Sequence, residues 1–155
     1  VGTLGKSIGT YGAFVAGSDA LIESLVQFSR NYIYTTALPA ALAVATSKSL
    51  MILKSEDWRR ERLHRNIAFF RSRASAAGLR LSDSETPIQP ILVGDDERVS
   101  TLGNHLLRKG FLVGAIRPPT VPVGTGRLRI SISAEHNETQ LEALVDALLI
   151  VEANN

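Results

Sequence analysis

Apolar and polar positions change rhythm several times along this chain, and each change marks an element. Residues 2–12 carry four glycines and predict a tight loop. Ala13-Phe14-Val15-Ala16 is a short apolar run that predicts a buried strand. Ser18 then offers an N-cap to a helix bearing Leu21, Ile22, Leu25, Val26 and Phe28, with Asp19 and Glu23 near its positive end. Residues 30–39 break the pattern with polar and aromatic positions. They end at Pro39, whose fixed φ and missing N–H suit the first turn of a long helix. The Ala-rich stretch 40–53 predicts that helix. Another is expected from about residue 56 to 77, where Leu63, Ile67 and Phe70 recur at helical spacing and Gly78 supplies a left-handed cap. Trp58 is expected to pack near its start.

From Thr86 onward the rhythm is different. Residues 88–93 predict a strand, with Pro90 marking an edge or an irregularity. A helix over 99–109 closes at Gly110, and a strand over 111–116 follows. Residues 117–126 form a Pro/Gly-rich loop. Residues 127–133 alternate strictly, giving one apolar and one polar face. An amphipathic helix over 137–151 carries Leu141, Leu144, Val145 and Leu148 on one side. Strand, helix, strand, strand, helix is an α+β layer with helices on one face of a small sheet. The earlier part is mainly helical, so the chain divides into 1–55 and 56–155.

Composition narrows the function classes. A hydrophobic fraction of 45% and a charged fraction of 21% suffice for a packed core. Seventeen basic and 15 acidic residues leave a net charge of +2. The basic cluster Arg59-Arg60-Glu61-Arg62 is interleaved with acid, as on a solvated helix face, and no nucleic-acid partner is expected. The absence of cysteine excludes disulfides, thiolate metal sites and a cysteine nucleophile, and fits a reducing, cytoplasmic setting. No apolar run approaches the roughly 20 residues that span a bilayer, so no membrane partner is expected. His64, His105 and His136 fall on separate predicted elements and read as structural, with no metal site. A Gly-rich loop with no element before it suggests that the chain begins inside a larger protein.

The first chemical candidate is Gly2-Thr3-Leu4-Gly5-Lys6-Ser7. A phosphate-loop reading needs a helix starting at the lysine. Here Ile8-Gly9-Thr10-Tyr11-Gly12 follows, and two glycines within five residues oppose a helix. A lysine among glycines suits imine chemistry instead. Its amine loses a proton readily when desolvated, and small neighbours admit a bulky planar cofactor.

The same loop resembles the pyridoxal-phosphate (PLP) lysine loop of the α-oxoamine synthases. The resemblance continues through Gly9 and Gly12-Ala13, and through Tyr34-Thr35-Thr36-Ala37-Leu38-Pro39. Ile88-Gln89-Pro90 and Ala115-Ile116-Arg117-Pro118-Pro119-Thr120-Val121-Pro122 extend it, and it closes with Gly124-Thr125, Arg127-Leu128-Arg129 and Ala134-Glu135-His136. Order and spacing match from one end of the chain to the other.

This resemblance implies an α/β fold: the C-terminal part of a fold type I PLP-dependent transferase. Residues 1–55 would end the large PLP-binding domain, with the lysine loop and an interdomain helix, and 56–155 would form the C-terminal α+β domain. It implies PLP as cofactor, carried by Lys6 through an imine, with Lys6 later acting as general base. Thr3 and Thr36 match threonines beside the cofactor phosphate, the latter reaching a neighbouring subunit's site. Arg117 and Thr120 match substrate-contacting residues, with Arg117 gripping a carboxylate. Arg127 and Arg129 read as solvated strand positions.

Residues 116–122 resemble the branch that condenses L-alanine with a pimeloyl thioester, on coenzyme A or acyl carrier protein, with loss of carbon dioxide. Two other readings stay open: a different α-oxoamine synthase, of glycine C-acetyltransferase or aminolevulinate synthase type, and a non-catalytic homologous domain. The family acts as a homodimer. Its ring-stacking His, pyridine-pairing Asp and much of its phosphate cup precede the lysine, so residues 1–155 alone are expected to be inactive.

Overall fold

A computed structural model describes residues 1–153 as two compact units, Val1–Asp57 and one starting at Trp58. The first unit opens with a short antiparallel ladder. Strand β1 (Gly2–Thr3) pairs with β2 (Ala13–Phe14) in the register Gly2↔Phe14 and Thr3↔Ala13. The strand expected over 13–16 is therefore two residues long, and it is not buried, since Phe14 is 53% exposed. Its apolar character comes from the groove it forms with the next helix, where Phe14 and Val15 face Ile22, Leu25 and Val26.

Helix α1 (Asp19–Phe28) starts at the expected N-cap, with the Leu21 N–H donating to Ser18 Oγ. A one-turn helix α2 (Arg30–Ile33) follows, where the sequence pattern predicted only a break. Pro39 occupies the N-cap of α3 (Ala40–Ser55), one position outside the first turn. No residue of this unit is fully buried.

The second unit holds the core. Helix α4 (Trp58–Ala76) buries Asn66, Ile67, Phe70 and Ala74 on one face. Gly78, at φ 79°, takes the left-handed position that ends it, and the Leu79 N–H donates to Ala74 O. Trp58 lies on the rim, 45% exposed, with the Arg59 guanidinium carbon 4.6 Å from its ring centroid.

Strand β3 (Ile88–Gly94), helix α5 (Asp96–Arg108), strand β4 (Gly114–Ile116), strand β5 (Gly126–Ser131) and helix α6 (Glu138–Ala153) complete the unit. The sheet order is β3-β5-β4, with β5 antiparallel to both neighbours. β3 and β4 are thus parallel to each other, joined by α5 and split by the later strand, a split βαβ arrangement. The alternation predicted for β5 is present: Leu128, Ile130 and Ile132 are buried, and Arg129 and Ser131 are exposed. They pack with Val99, Leu102 and Leu106 of α5, Leu141, Leu144, Val145 and Leu148 of α6, and Phe70 of α4 in one cluster.

Each fully buried Leu or Phe contributes roughly 1.5–3 kcal/mol relative to exposure. Gly103 lets α5 approach β4, since a Cβ there would lie 3.2 Å from the Ala115 Cβ. Pro90 lies on β3 beside the single bridge Leu81↔Ile91 that lines the strand's outer side. Its carbonyl accepts from Ser82 N at 3.1 Å, and the missing N–H costs no ladder bond to β5.

Candidate functional site

The lysine loop is a hairpin tip. Leu4 N donates to Gly12 O at 2.9 Å and Thr10 N to Leu4 O at 3.0 Å, continuing the β1–β2 pairing toward the tip. Gly9 N donates to Lys6 O at 2.9 Å, closing a β-turn over residues 6–9. Gly9 takes φ 72° and Gly12 φ 104°, left-handed positions that favour glycine. No helix begins at Lys6, so the loop lacks the geometry of a nucleotide phosphate loop.

Lys6 stands at the first position of the turn with its side chain exposed. Among the described residues its amine has no hydrogen-bond or ion-pair partner. A Cβ built on Gly9 would meet nothing within 4 Å, and one on Gly5 would meet only Thr10 O at 3.6 Å. The glycines on either side of Lys6 thus leave its backbone uncrowded.

Thr3 is exposed on β1, three residues before Lys6 on the same hairpin. Thr36 is exposed in the link between α2 and α3, and its side chain does not cap α3. That link is held near the loop through its neighbour: Leu38 Cδ1 lies 3.1 Å from the position of a Cβ on Gly12, and Leu38 shares an apolar pocket with Leu4, Tyr11 and Leu42. Neither threonine hydroxyl has a protein partner among the described residues.

The hairpin is also gripped from α3 by groups that hydrophobic periodicity gave no reason to single out. Ser49 Oγ donates to Ile8 O at 2.7 Å, and the hydroxyls of Thr10 and Thr46 are 2.9 Å apart. Thr46 and Ser49 are three residues apart on a helix, which puts them on one face. That spacing was the available signal.

Arg117 and Thr120 belong to the second unit. β4 runs directly into Arg117, and the pair Ile116↔Arg127 fixes the backbone at its root. Thr120 N donates to Arg117 O at 3.1 Å, the Pro118-Pro119 bond is cis, and Thr125 N returns to Pro122 O at 3.1 Å. The exposed Arg117 guanidinium has no ion-pair or hydrogen-bond partner among the described residues, leaving its donor fork open. Arg127 differs: its Nε donates to Thr125 O at 3.1 Å and braces the loop. Arg129 is exposed on the polar face of β5. Among the described residues no cluster of His, Asp or Glu has metal-site geometry. His136 instead accepts from Ser133 N through Nδ1 at 3.1 Å, in the turn after β5.

The residues on the hairpin fit a PLP group. An unpaired primary amine meets an aldehyde's need for a nucleophile, the free hydroxyl of Thr3 suits a phosphate, and the glycines leave room for a ring.

Comparison with known proteins agrees with that fit. The family described as aminotransferase class I and II matches residues 1–148. The 8-amino-7-oxononanoate synthase of Ectopseudomonas mendocina is 62% identical over 148 residues, covering 96% of this chain and 38% of that protein. The chain thus spans well under half the length of this relative. A solved 8-amino-7-oxononanoate synthase from Francisella tularensis superposes with a TM-score of 0.86 at 33% identity, covering 98% of this chain and 44% of its own. A structure of SPT with its PLP internal aldimine superposes at 0.91 with 31% identity, covering 99% and 39%. With its motifs in register from Thr3 to His136 and its α/β fold shared with fold type I enzymes, the chain belongs to the class I and II aminotransferase family, among the α-oxoamine synthases.

Proposed function

We propose that the protein containing this chain is a cytoplasmic, homodimeric 8-amino-7-oxononanoate synthase. It joins L-alanine to a pimeloyl thioester and releases carbon dioxide and the thiol carrier, coenzyme A or acyl carrier protein. The observation that carries this reading is the Lys6 turn, an exposed lysine on a glycine hairpin within motifs that run in register along the chain.

In this reading Lys6 Nζ would hold PLP at its aldehyde carbon, and the same Nζ, unprotonated, would accept the α-proton of alanine as general base. Bound PLP supplies an electron sink for negative charge at the substrate α-carbon. Thr3 would donate its hydroxyl to the phosphate of the cofactor on Lys6, and Thr36 to that of the neighbouring subunit, where a bond to a dianion is short and strong. Arg117 would present two parallel N–H donors to a substrate or product carboxylate, and the β4–β5 ladder holds the root of its loop. Thr120 adds a hydroxyl contact to the same substrate.

The test uses the intact protein with PLP. A visible absorbance band should appear on cofactor addition and vanish in Lys6→Ala, together with turnover. L-Alanine with pimeloyl-CoA should be used in preference to glycine with acetyl-CoA or succinyl-CoA. A colourless wild-type protein would leave a non-catalytic domain as the better reading. Preference for glycine and a short acyl donor would move it to another α-oxoamine synthase.

A further inference from the structure

We propose that Ser49 and Thr46 of α3 are positioning residues for the Lys6 amine, an inference that rests on the function proposed above. The proton accounting is specific. Thr46 has one hydroxyl hydrogen, and it goes to Leu42 O at 2.8 Å within its own helix. Thr10 Oγ1 has a second acceptor in Leu4 O, but at 3.5 Å, so its hydrogen is assigned to the shorter 2.9 Å contact, with Thr46 as acceptor. Ser49 spends its single hydrogen outside its helix, on Ile8 O, 41 residues away in sequence and inside the turn that Lys6 opens.

The loop is thus held on both sides of Gly9, at Ile8 and at Thr10, by two hydroxyls on one helix face. The backbone between them has little stiffness of its own. Gly5, Gly9 and Gly12 punctuate it, and a Cβ at Gly9 would touch nothing. A catalytic amine must be held within a fraction of an ångström, because small displacements of a reacting group lower the rate steeply. Residues 4–12 close on themselves through three backbone bonds, and the α3 hydroxyls add the hydrogen bonds that tie the turn to a rigid element.

The experiment compares Ser49→Ala, Ser49→Thr and Thr46→Val in the intact protein reconstituted with PLP. Two quantities are read: the pH at which the visible band of the lysine-bound cofactor titrates, and kcat separately from KM. In Ser49→Ala, kcat should fall about tenfold, the effect of one lost hydrogen bond on a transition state. KM for both substrates should stay near wild type, and the absorbance midpoint should shift. Thr46→Val keeps the shape and loses the acceptor, so it should move both quantities the same way. Ser49→Thr keeps the hydroxyl and should restore them.

If the wild-type protein shows no band with PLP, the functional reading itself has failed. If it shows one, and the alanine and valine variants titrate and turn over like wild type, the positioning inference alone is overturned. Equal losses in Ser49→Ala and Ser49→Thr would overturn it too, because the hydroxyl would then not matter. Should Ser49→Ala fail to accumulate as folded protein, Thr46→Val decides by the same two readings.

Discussion

Gln89→Leu tests the energetics of the second unit where they are least expected from the sequence. Gln89 is fully buried, on the core face of β3, opposite Ile130. Its Nε2 donates to Ser84 O at 2.8 Å and Thr86 O at 2.7 Å. Its Oε1 accepts from Arg71 Nη1 at 2.9 Å, and Arg71 also donates to Ser82 O and Ser84 O. Leucine matches the shape but removes all three bonds of the amide. Two neutral bonds are worth about 1 kcal/mol each, and one to a charged group about 1.5–3 kcal/mol. Added apolar burial returns about 1 kcal/mol. The net loss is about 3 kcal/mol, or roughly a hundredfold in a local opening equilibrium.

Native-state hydrogen exchange of the intact protein reads this directly in peptides covering 80–94, where Ser82 N and Leu92 N are bonded to Pro90 O and Arg80 O. Their exchange should accelerate about a hundredfold, while α1 in the other unit stays unchanged. Adding Arg71→Ala should cost much less than the sum of the single changes, since the partners share one network. A less than fivefold change, or full additivity, would refute the reasoning.

Two further outcomes follow from the geometry. Gly126→Ala places a Cβ 2.9 Å from Val99 Cγ2 and 3.1 Å from Gly94 O, so it should cost about 1–3 kcal/mol; thermal unfolding at the wild-type temperature would contradict this. Arg117→Ala should raise KM for the carboxylate-bearing substrate it grips about ten- to a hundredfold while the PLP absorbance band persists, and a parallel loss of the band would make the residue structural.

Much of the fold was legible because the second unit repeats one apolar stripe per helix. Leu63, Ile67 and Phe70 on α4, and Leu141, Leu144, Val145 and Leu148 on α6, follow helical spacing and meet the core. The misplaced boundaries have local causes. α5 begins at Asp96 rather than 99 because the Asp95 carboxylate caps Arg98 N at 2.7 Å, and the charged first turn carries no apolar signal. β4 begins at Gly114 rather than 111 because Phe111 N is committed to Leu106 O in the helix cap around Gly110.

Gln89 and Arg71 were invisible as a pair. Their partners are loop carbonyls and each other, which no local pattern reports. At the candidate site, Lys6 and Arg117 stood out through family motifs, whereas composition alone could not separate either from a solvated cation. Thr46 and Ser49 looked like ordinary polar positions on an Ala-rich helix, since their bonds run to residues about 40 positions earlier.

The order β3-β5-β4 also has a consequence in time. The strand that completes the sheet is the last of the three to leave a ribosome. Until residue 131 emerges, β4 has no strand partner and β3 has only the single bridge Leu81↔Ile91 on its other side. A nascent chain halted in the loop at 117–126 would carry helices in search of a sheet, with two unsatisfied strand edges open to other chains. The emergence of residues 126–131 is therefore the step that lets the sheet of this unit close.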